Sequence, residues 1–371
     1  MGVIIREMEA DEAAAVQSLG LRTFLRSLET FFVPKPKTAK VAVLDDKIVG
    51  GFIYTTEIHE GKKFGVVDFF FVDSAHGGQG IGSELCKEGV AYLWSEGYDY
   101  LAAVVRDDNV ASWAAFEKNG FVRANMQKAS NALGFVGFLS FYIKHAYFVS
   151  SACDLYFAPR PGRGIELSSY SKDTGLGQIT LHLFANLLLV FIFALARTLF
   201  FRETSSFADF LRVDLPAFSP AVLFVFGGAI LFTYLGTLFS ERKWHFRVPT
   251  GGFVLCFIVG FFGFLFPMGG SFYPDRYENT PEFRRDMGIP ALTSWLYIMA
   301  LLLVTSLFAE VLPLFSYNIW AYIGTLAGVL LIFRSMPLLH VSFGSSRVFA
   351  WNKILYGIMF LVSVLLLVFV W

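Results

Sequence analysis

The sequence predicts an α+β domain fused to an all-α, polytopic membrane domain of about six transmembrane helices. Two observations carry this. Residues 1–130 hold 14 Lys+Arg and 18 Asp+Glu, whereas residues 131–371 hold only 16 and 12. The first part is as charged as a soluble domain, about 25%, and the second is about half that. Within the first part, strand patterns alternate with helical ones, and a glycine-rich turn joins one such pair. The net charge of zero is therefore the sum of an acidic part and a basic one. With 55% hydrophobic and 18% aromatic residues, the chain is neither disordered nor a nucleic-acid binder with a basic face. The expected organisation is a soluble domain over 1–130, an interfacial junction or linker over 131–173, and a multi-pass domain over 174–371.

Taken in order, VIIREM at 3–8 alternates as a strand and 11–27 carries a helical period. Strands follow at 40–44 and 48–58 across the turn Asp45-Asp46-Lys47, and a third at Gly65–Asp73. That strand runs into Ala75-His76-Gly77-Gly78-Gln79-Gly80-Ile81-Gly82, after which Ser83 opens a helix reaching about Glu96. A strand at 98–105 and a helix at about 110–118, closed by Asn119-Gly120, complete the pattern. A strand feeding a glycine turn that opens a helix suits a phosphate. The glycines admit a close approach, and the free N–H groups of the helix start face the anion.

Three cysteines, Cys86, Cys153 and Cys256, are scattered and form no CxxC. The six histidines form no HExxH, since His59-Glu60 is followed by Gly-Lys-Lys. No metal is expected. The acidic start MGVIIREMEADEAAA lacks the apolar core of a signal peptide, so the first domain is expected in the cytoplasm.

Two motifs together resemble the GNAT superfamily of acetyltransferases, over roughly residues 1–125. The first is Val72-Asp73-Ser74-Ala75-His76-Gly77-Gly78-Gln79-Gly80-Ile81-Gly82-Ser83. The second is Asn109-Val110-Ala111-Ser112 followed by Phe116-Glu117-Lys118-Asn119-Gly120-Phe121. The resemblance implies a mixed central sheet with flanking helices and acetyl-CoA as co-substrate. It implies a pyrophosphate cradle from Gly77, Gly78, Gln79, Gly80, Ile81, Gly82 and Ser83. Asn109 and Ser112 would line the pantetheine arm, with Phe116 packed beside it and a backbone N–H near Phe71-Val72 facing the carbonyl oxygen. Two positions depart from the family pattern: Gly77 stands where an arginine is usual, and Phe116 where a proton-donating tyrosine is frequent. Asn109 is also a good helix N-cap.

The implied reaction is direct attack of an amine on the acetyl thioester, for which the amine must lose a proton. Asp68, on the strand carrying Val72, is the best nearby carboxylate and, by simple alternation, shares a face with Phe70 and Val72. It reads either as the base or as an ordinary strand carboxylate. Cys86 reads as structural. The expected acceptor is an amine at the cytoplasmic membrane face: a lipid headgroup, a membrane-protein amine or a small amine. The alternative is a sensor that binds acetyl-CoA with little turnover. Besides acetyl-CoA and this amine, the lipid bilayer is the expected partner, and no nucleic acid is.

A spanning helix needs about 20 apolar residues. Uncharged stretches occupy 174–196, 215–240, 248–274, 287–309, 311–333 and 354–371, giving six expected spans with both ends cytoplasmic. The fifth is weakened by Pro313 and Tyr317-Asn318. The loop 241–249, with Arg242, Lys243 and Arg247, suits the cytoplasmic face. The apolar stretch 133–157 is interrupted by Lys144-His145, and reads as an interfacial or re-entrant segment or in part as a last strand. APRPGRG at 158–164 reads as a linker. Glu310, inside an apolar stretch, is a functional candidate or lies at a helix end. A fainter resemblance ties 175–371 to site-2-type intramembrane metalloproteases. Met336-Pro337-Leu338-Leu339 with Gly344–Lys353, and Gly270–Pro274 running into Arg284–Gly288, look like that family's distal region. The comparable metal-binding helix reads Tyr234-Leu235-Gly236-Thr237-Leu238, which offers no ligand.

Overall fold

Alternating apolar residues at 39–44, 47–59 and 62–72 can bury two faces of a sheet only if helices cover both, and this is the arrangement found. The computed structural model describes residues 2–24, 28–106, 109–124, 126–145, 153–162, 175–201, 208, 210–248, 252–274, 278, 280–308, 315–335 and 344–370. The chain forms two compact units, Met1–Tyr147 with Cys153–Lys172, and Phe148–Ala152 with Asp173–Trp371. Glu310 and residues 336–343 lie outside the described residues.

In the first unit, among the described residues, seven strands form one mixed sheet: β1 (Ile4–Glu7), β2 (Ala39–Leu44), β3 (Lys47–His59), β4 (Lys62–Val72), β5 (Tyr100–Arg106), β6 (Val122–Ala124) and β7 (Cys153–Pro159), in the order β1-β2-β3-β4-β5-β7-β6. Only β4 and β5 run parallel. One face is covered by α1 (Ala13–Thr23), whose Val16 and Leu19 pack with Val41, Ile53 and Phe71. The other is covered by α2 (Ile81–Ser95), which buries Ile81, Leu85, Cys86, Gly89, Val90 and Leu93. A Cβ on Gly89 would stand 2.9 Å from the Phe52 ring, so glycine there lets helix and sheet touch. Helix α3 (Val110–Lys118) follows β5.

The sheet does not end near residue 130. Between β6 and β7 the chain leaves through α4 (Met126–Leu133) and α5 (Phe135–Lys144), then returns as β7 between β5 and β6. Leu155, Tyr156, Phe157 and Ala158 of β7 are buried, and Arg123 of β6 pairs with Asp154 of β7. Within the stretch 133–157, Phe135–Lys144 is thus a helix and Cys153–Pro159 the expected last strand of the first unit. One side of α5 is buried in that unit, through Gly137, Phe138, Phe141 and Tyr142, with Phe141 meeting Phe157 at 6.2 Å, while Phe135, Val136, Leu139 and Ile143 are exposed. Pro159 closes β7, so the expected linker begins inside the last strand.

The second unit is helical, and four of its described helices are long and apolar enough to cross a membrane rather than six. They are α6 (Leu176–Ala196), α7 (Leu215–Thr237), α9 (Pro281–Phe308) and α10 (Tyr317–Ser335). The expected third span, 248–274, fails for a backbone reason. Within it lies α8 (Phe253–Phe261) of 9 residues, about 14 Å at 1.5 Å per residue, half the hydrocarbon thickness. Gly252 and Gly263, both with positive φ, flank it. Strands β8 (Trp244–Arg247) and β9 (Ser271–Pro274) pair antiparallel, so the two ends of this segment lie side by side. Arg242 extends the link, its Nε donating to Asp286 Oδ2 and its Nη2 to Glu278 Oε2, both at 2.9 Å. The expected sixth span, 354–371, holds α12 (Lys353–Phe369), only 17 residues long, and a short helix α11 (Ser345–Trp351) precedes it. Helices α7 and α9 approach closely: a Cβ on Gly236 would stand 2.5 Å from Pro290 Cα, and Ser294 donates to the Ala229 carbonyl at 3.1 Å. Trp295, buried in this core, donates to Ser363 Oγ of α12 at 3.0 Å.

Candidate functional site

Strand β4 changes partner along its length. Its pairing with β5 stops at Val67↔Ala103, while β5 stays paired to β7 as far as Arg106↔Cys153. Beyond Val67 the facing edges of β4 and β5 therefore carry no ladder between them, and the sheet opens at their C-terminal ends. The opening begins at a bulge: Ile53 pairs with Phe69 and Tyr54 with Val67, which leaves Asp68 without a cross-strand partner. A bulge inserts one residue and bends the strand.

The glycine turn follows directly. Asp73 Oδ1 accepts from Ala75 N at 3.0 Å, and Gly78 and Gly80 take φ +77 and +81, a region other L-residues rarely adopt. A Cβ at either would meet nothing within 4 Å, so conformation requires glycine there while the space above stays open. Gly77 has φ −64, which any residue adopts, so the backbone does not exclude the arginine usual at this position. The internal hydrogen bonds of α2 begin with Glu84 N donating to Gly80 O at 3.1 Å. The amides of Ile81, Gly82 and Ser83 precede that ladder, as first-turn amides do. Gln79 and Ser83 are exposed.

The remaining sequence candidates divide between the two faces. Gly82 lies against Val72 and Phe70, whose atoms would be 3.5 and 3.6 Å from an added Cβ. Phe116 is buried edge-on to Phe70 at 5.8 Å. Phe71 turns its ring to the α1 face, 5.9 Å from Phe24, so only its backbone reaches the opening. Asn109 Oδ1 accepts from Ser112 N at 3.2 Å and caps α3. Cys86 is fully buried, and burial pushes its thiol up to about 12, which suits packing rather than nucleophilic attack.

Asp68 does not share a face with Phe70 and Val72. The bulge breaks the alternation, and its carboxylate meets His145 at the end of α5, Oδ1 to Nδ1 at 3.0 Å. His145 Nε2 lies 3.3 Å from Glu57 Oε1, and Glu57 Oε2 lies 2.7 Å from His59 Nε2. Lys144 Nζ also approaches Glu57 Oε1 at 3.3 Å. Hydrogen bonding from His145 leads the effects that hold Glu57 at about 2, against the opposing effect of burial. Burial would lower the His145 imidazolium, but the bonds to Asp68 and Glu57 outweigh it and hold its pKa at about 9. Sequence reasoning missed Glu57, His59 and His145 as a group. Residues 57 and 59 do share a strand face, and that spacing was the available signal.

Among the described residues no group of three or more His, Cys, Asp or Glu is placed to hold a metal ion. The family described as Acetyltransferase (GNAT) family matches residues 5–121, and this segment is a GNAT acetyltransferase domain. Similar solved structures include a GNAT-family acetyltransferase from Streptococcus pneumoniae, 21% identical over 33% of this chain and 87% of that one, with TM-score 0.28. Another is the ribosomal-protein-S18-alanine N-acetyltransferase of Escherichia coli, 17% identical over 45% of this chain and 99% of that one, with TM-score 0.31. A third is yncA, a putative acetyltransferase from Salmonella typhimurium solved with its cofactor acetyl-CoA, 15% identical over 34% and 82%, with TM-score 0.29. No curated protein matches the chain.

Proposed function

We propose that the chain is a membrane-anchored, acetyl-CoA-dependent N-acetyltransferase acting on an amine at the cytoplasmic membrane face. The observation that carries this reading is the opening between β4 and β5 beside a turn whose glycines leave free space. The residues present fit the group. The backbone of Gly77–Ser83 would hold the pyrophosphate at the start of α2, and Asn109 and Ser112 would flank the pantetheine arm beside Phe116. Bound there, acetyl-CoA supplies an activated acetyl thioester.

The chain's own part is to place an amine and remove its proton. Asp68 stands at the bulge where the strands part, 17% exposed at its side chain, and would act as the base. Amides on the unpaired edge of β4, near Phe71 and Val72, are fixed donors for negative charge developing in the transition state. Phe116 carries no proton to give, so water would protonate the departing thiolate, whose reference pKa near 8.5 makes this feasible. The acceptor is a lipid headgroup, a membrane-protein amine or a small amine. Four helices long and apolar enough to cross a bilayer support the anchoring.

A second reading, a sensor that binds acetyl-CoA without turnover, is favoured by Phe116 and by Gly77. A proteolytic second unit is not part of either reading, since Tyr234–Leu238 offers no metal ligand. Full-length protein in detergent should release thiol from acetyl-CoA with at least one amine of a panel covering the three acceptor classes. Asp68→Asn should lower kcat by about 10²- to 10⁴-fold while leaving acetyl-CoA binding unchanged. Binding with no release on any amine would favour the sensor, and absence of binding would refute both.

A further inference from the structure

The excursion of the chain between β6 and β7 ends by setting a histidine against the candidate base. We propose that His145 is a positioning residue for the transfer: clamped between Asp68 on β4 and Glu57 on β3, it fixes the orientation of the Asp68 carboxylate at the bulge. This rests on the acetyltransferase reading above and extends it to residues outside the family motifs.

The geometry is that of a ring held at both ends. An imidazolium donates from Nδ1 to Asp68 Oδ1 at 3.0 Å and from Nε2 to Glu57 Oε1 at 3.3 Å. Glu57 is itself tied by His59 at 2.7 Å and by Lys144 at 3.3 Å, so the clamp cannot swing away. Helix α5 is seated close to the sheet, since a Cβ on Gly137 would come 3.1 Å from the His59 ring. One Asp68 oxygen is thereby committed to His145, which leaves Oδ2 to receive the acceptor's proton. A bulged residue has no ladder partner to orient it, and a charge-assisted bond at 3.0 Å supplies that orientation from outside the sheet.

The titratable groups around His145 are Asp68 from β4, Glu57 from β3 with His59 beyond it on the other Glu57 oxygen, and the neighbouring Lys144. Two carboxylates balance the imidazolium and the ammonium. When pH rises through about 9, His145 loses one donor and the two carboxylates lose their common counter-charge. Asp68 is then released from its fixed orientation. Because the pKa is raised on folding, the associated stability is complete below the unfolded value near 6.5 and is lost as pH rises toward about 9.

The test uses full-length protein in detergent and two readouts. In the wild type, kcat/KM for the amine should fall above about pH 9. The melting temperature, followed through tryptophan fluorescence, should decline between pH 6.5 and 9. His145→Gln should lower kcat/KM about 10- to 100-fold near neutrality and remove the basic limb. It should also flatten the pH dependence of melting and leave KM for acetyl-CoA unchanged. Glu57→Gln keeps the imidazole and should move the basic limb to lower pH, which serves if His145→Gln folds poorly. A merely structural stitch would lower stability without moving the limb, and an unmoved limb in both variants overturns the proposal. An active wild type with that outcome refutes only the role of His145. A wild type that transfers to no amine refutes the transfer and this proposal with it.

Discussion

Cutting the chain after residue 130 should destroy the first unit even though the residues matching the GNAT family end at 121. The cut removes β7, the strand between β5 and β6. With it go Leu155, Tyr156 and Phe157, which are 1, 4 and 1% exposed. Each large apolar side chain fully buried is worth about 1.5–3 kcal/mol, so the strand alone contributes about 5–9 kcal/mol. That equals much or all of the 5–15 kcal/mol net stability of a typical domain. Two further losses add to it. Strand β6 loses its pairing with β7, and Arg123, 6% exposed, loses the carboxylate of Asp154. Breaking a buried pair by removing one partner costs about 3–5 kcal/mol on its own. Residues 1–172, in contrast, keep the whole unit. The assay is far-UV circular dichroism during thermal melting of both fragments in mild detergent, which shields the exposed Phe135, Val136, Leu139 and Ile143 of α5. The longer fragment should melt cooperatively and bind acetyl-CoA, and the shorter should do neither. Cooperative melting of 1–130 within about 3 °C of 1–172 would mean that β7 contributes less than about 1 kcal/mol, and the placement of β7 would be wrong.

Two other outcomes follow from the backbone. Gly80→Ala forces a side chain into φ +81 where nothing blocks it sterically, at about 1–2 kcal/mol. It should weaken acetyl-CoA binding about 5- to 30-fold, read by calorimetry, with kcat at saturation little changed. In the second unit, the pairing of β8 with β9 puts the exposed Lys243 and Arg284 on one side of any membrane. Single Lys243→Cys and Arg284→Cys variants, in a background without Cys86, Cys153 and Cys256, should react with a membrane-impermeant maleimide from the same side. Labelling from opposite sides would restore the third span expected from hydropathy.

The strands and helices of residues 3–118 were legible because each has a period and a boundary, and the turn because glycine at φ +77 and +81 leaves a direct trace in composition. What was not legible has a common cause. An apolar run records burial but does not say what does the burying. The run at 133–157 reads as an interfacial segment or in part as a last strand, and Cys153–Pro159 is that strand. Helix α5 buries one side in its own unit and exposes Phe135, Val136, Leu139 and Ile143 on the other. The run at 248–274 looked like a span because hydropathy ignores backbone breaks, and Gly252, Gly263 and the β8–β9 pairing turn it back.

The candidate site shows the same limit at one residue. Alternation along β4 sets Asp68 with Phe70 and Val72, and that inference holds only while every residue has a partner across the ladder. A single extra residue at 68 transfers it to the other face, because a strand's side chains have a period of two. Nothing in the local sequence marks the insertion. Its consequence is chemical: on the face of Phe70 the carboxylate would lie among aromatic rings without a partner, a costly place for a charge. On its actual face it meets His145 at 3.0 Å, a residue 77 positions away, on a helix that exists only because the chain detours between β6 and β7. The candidate base and its histidine partner are thus brought together by two irregularities, a bulge and an insertion, and neither is written in the period of the strands that carry them.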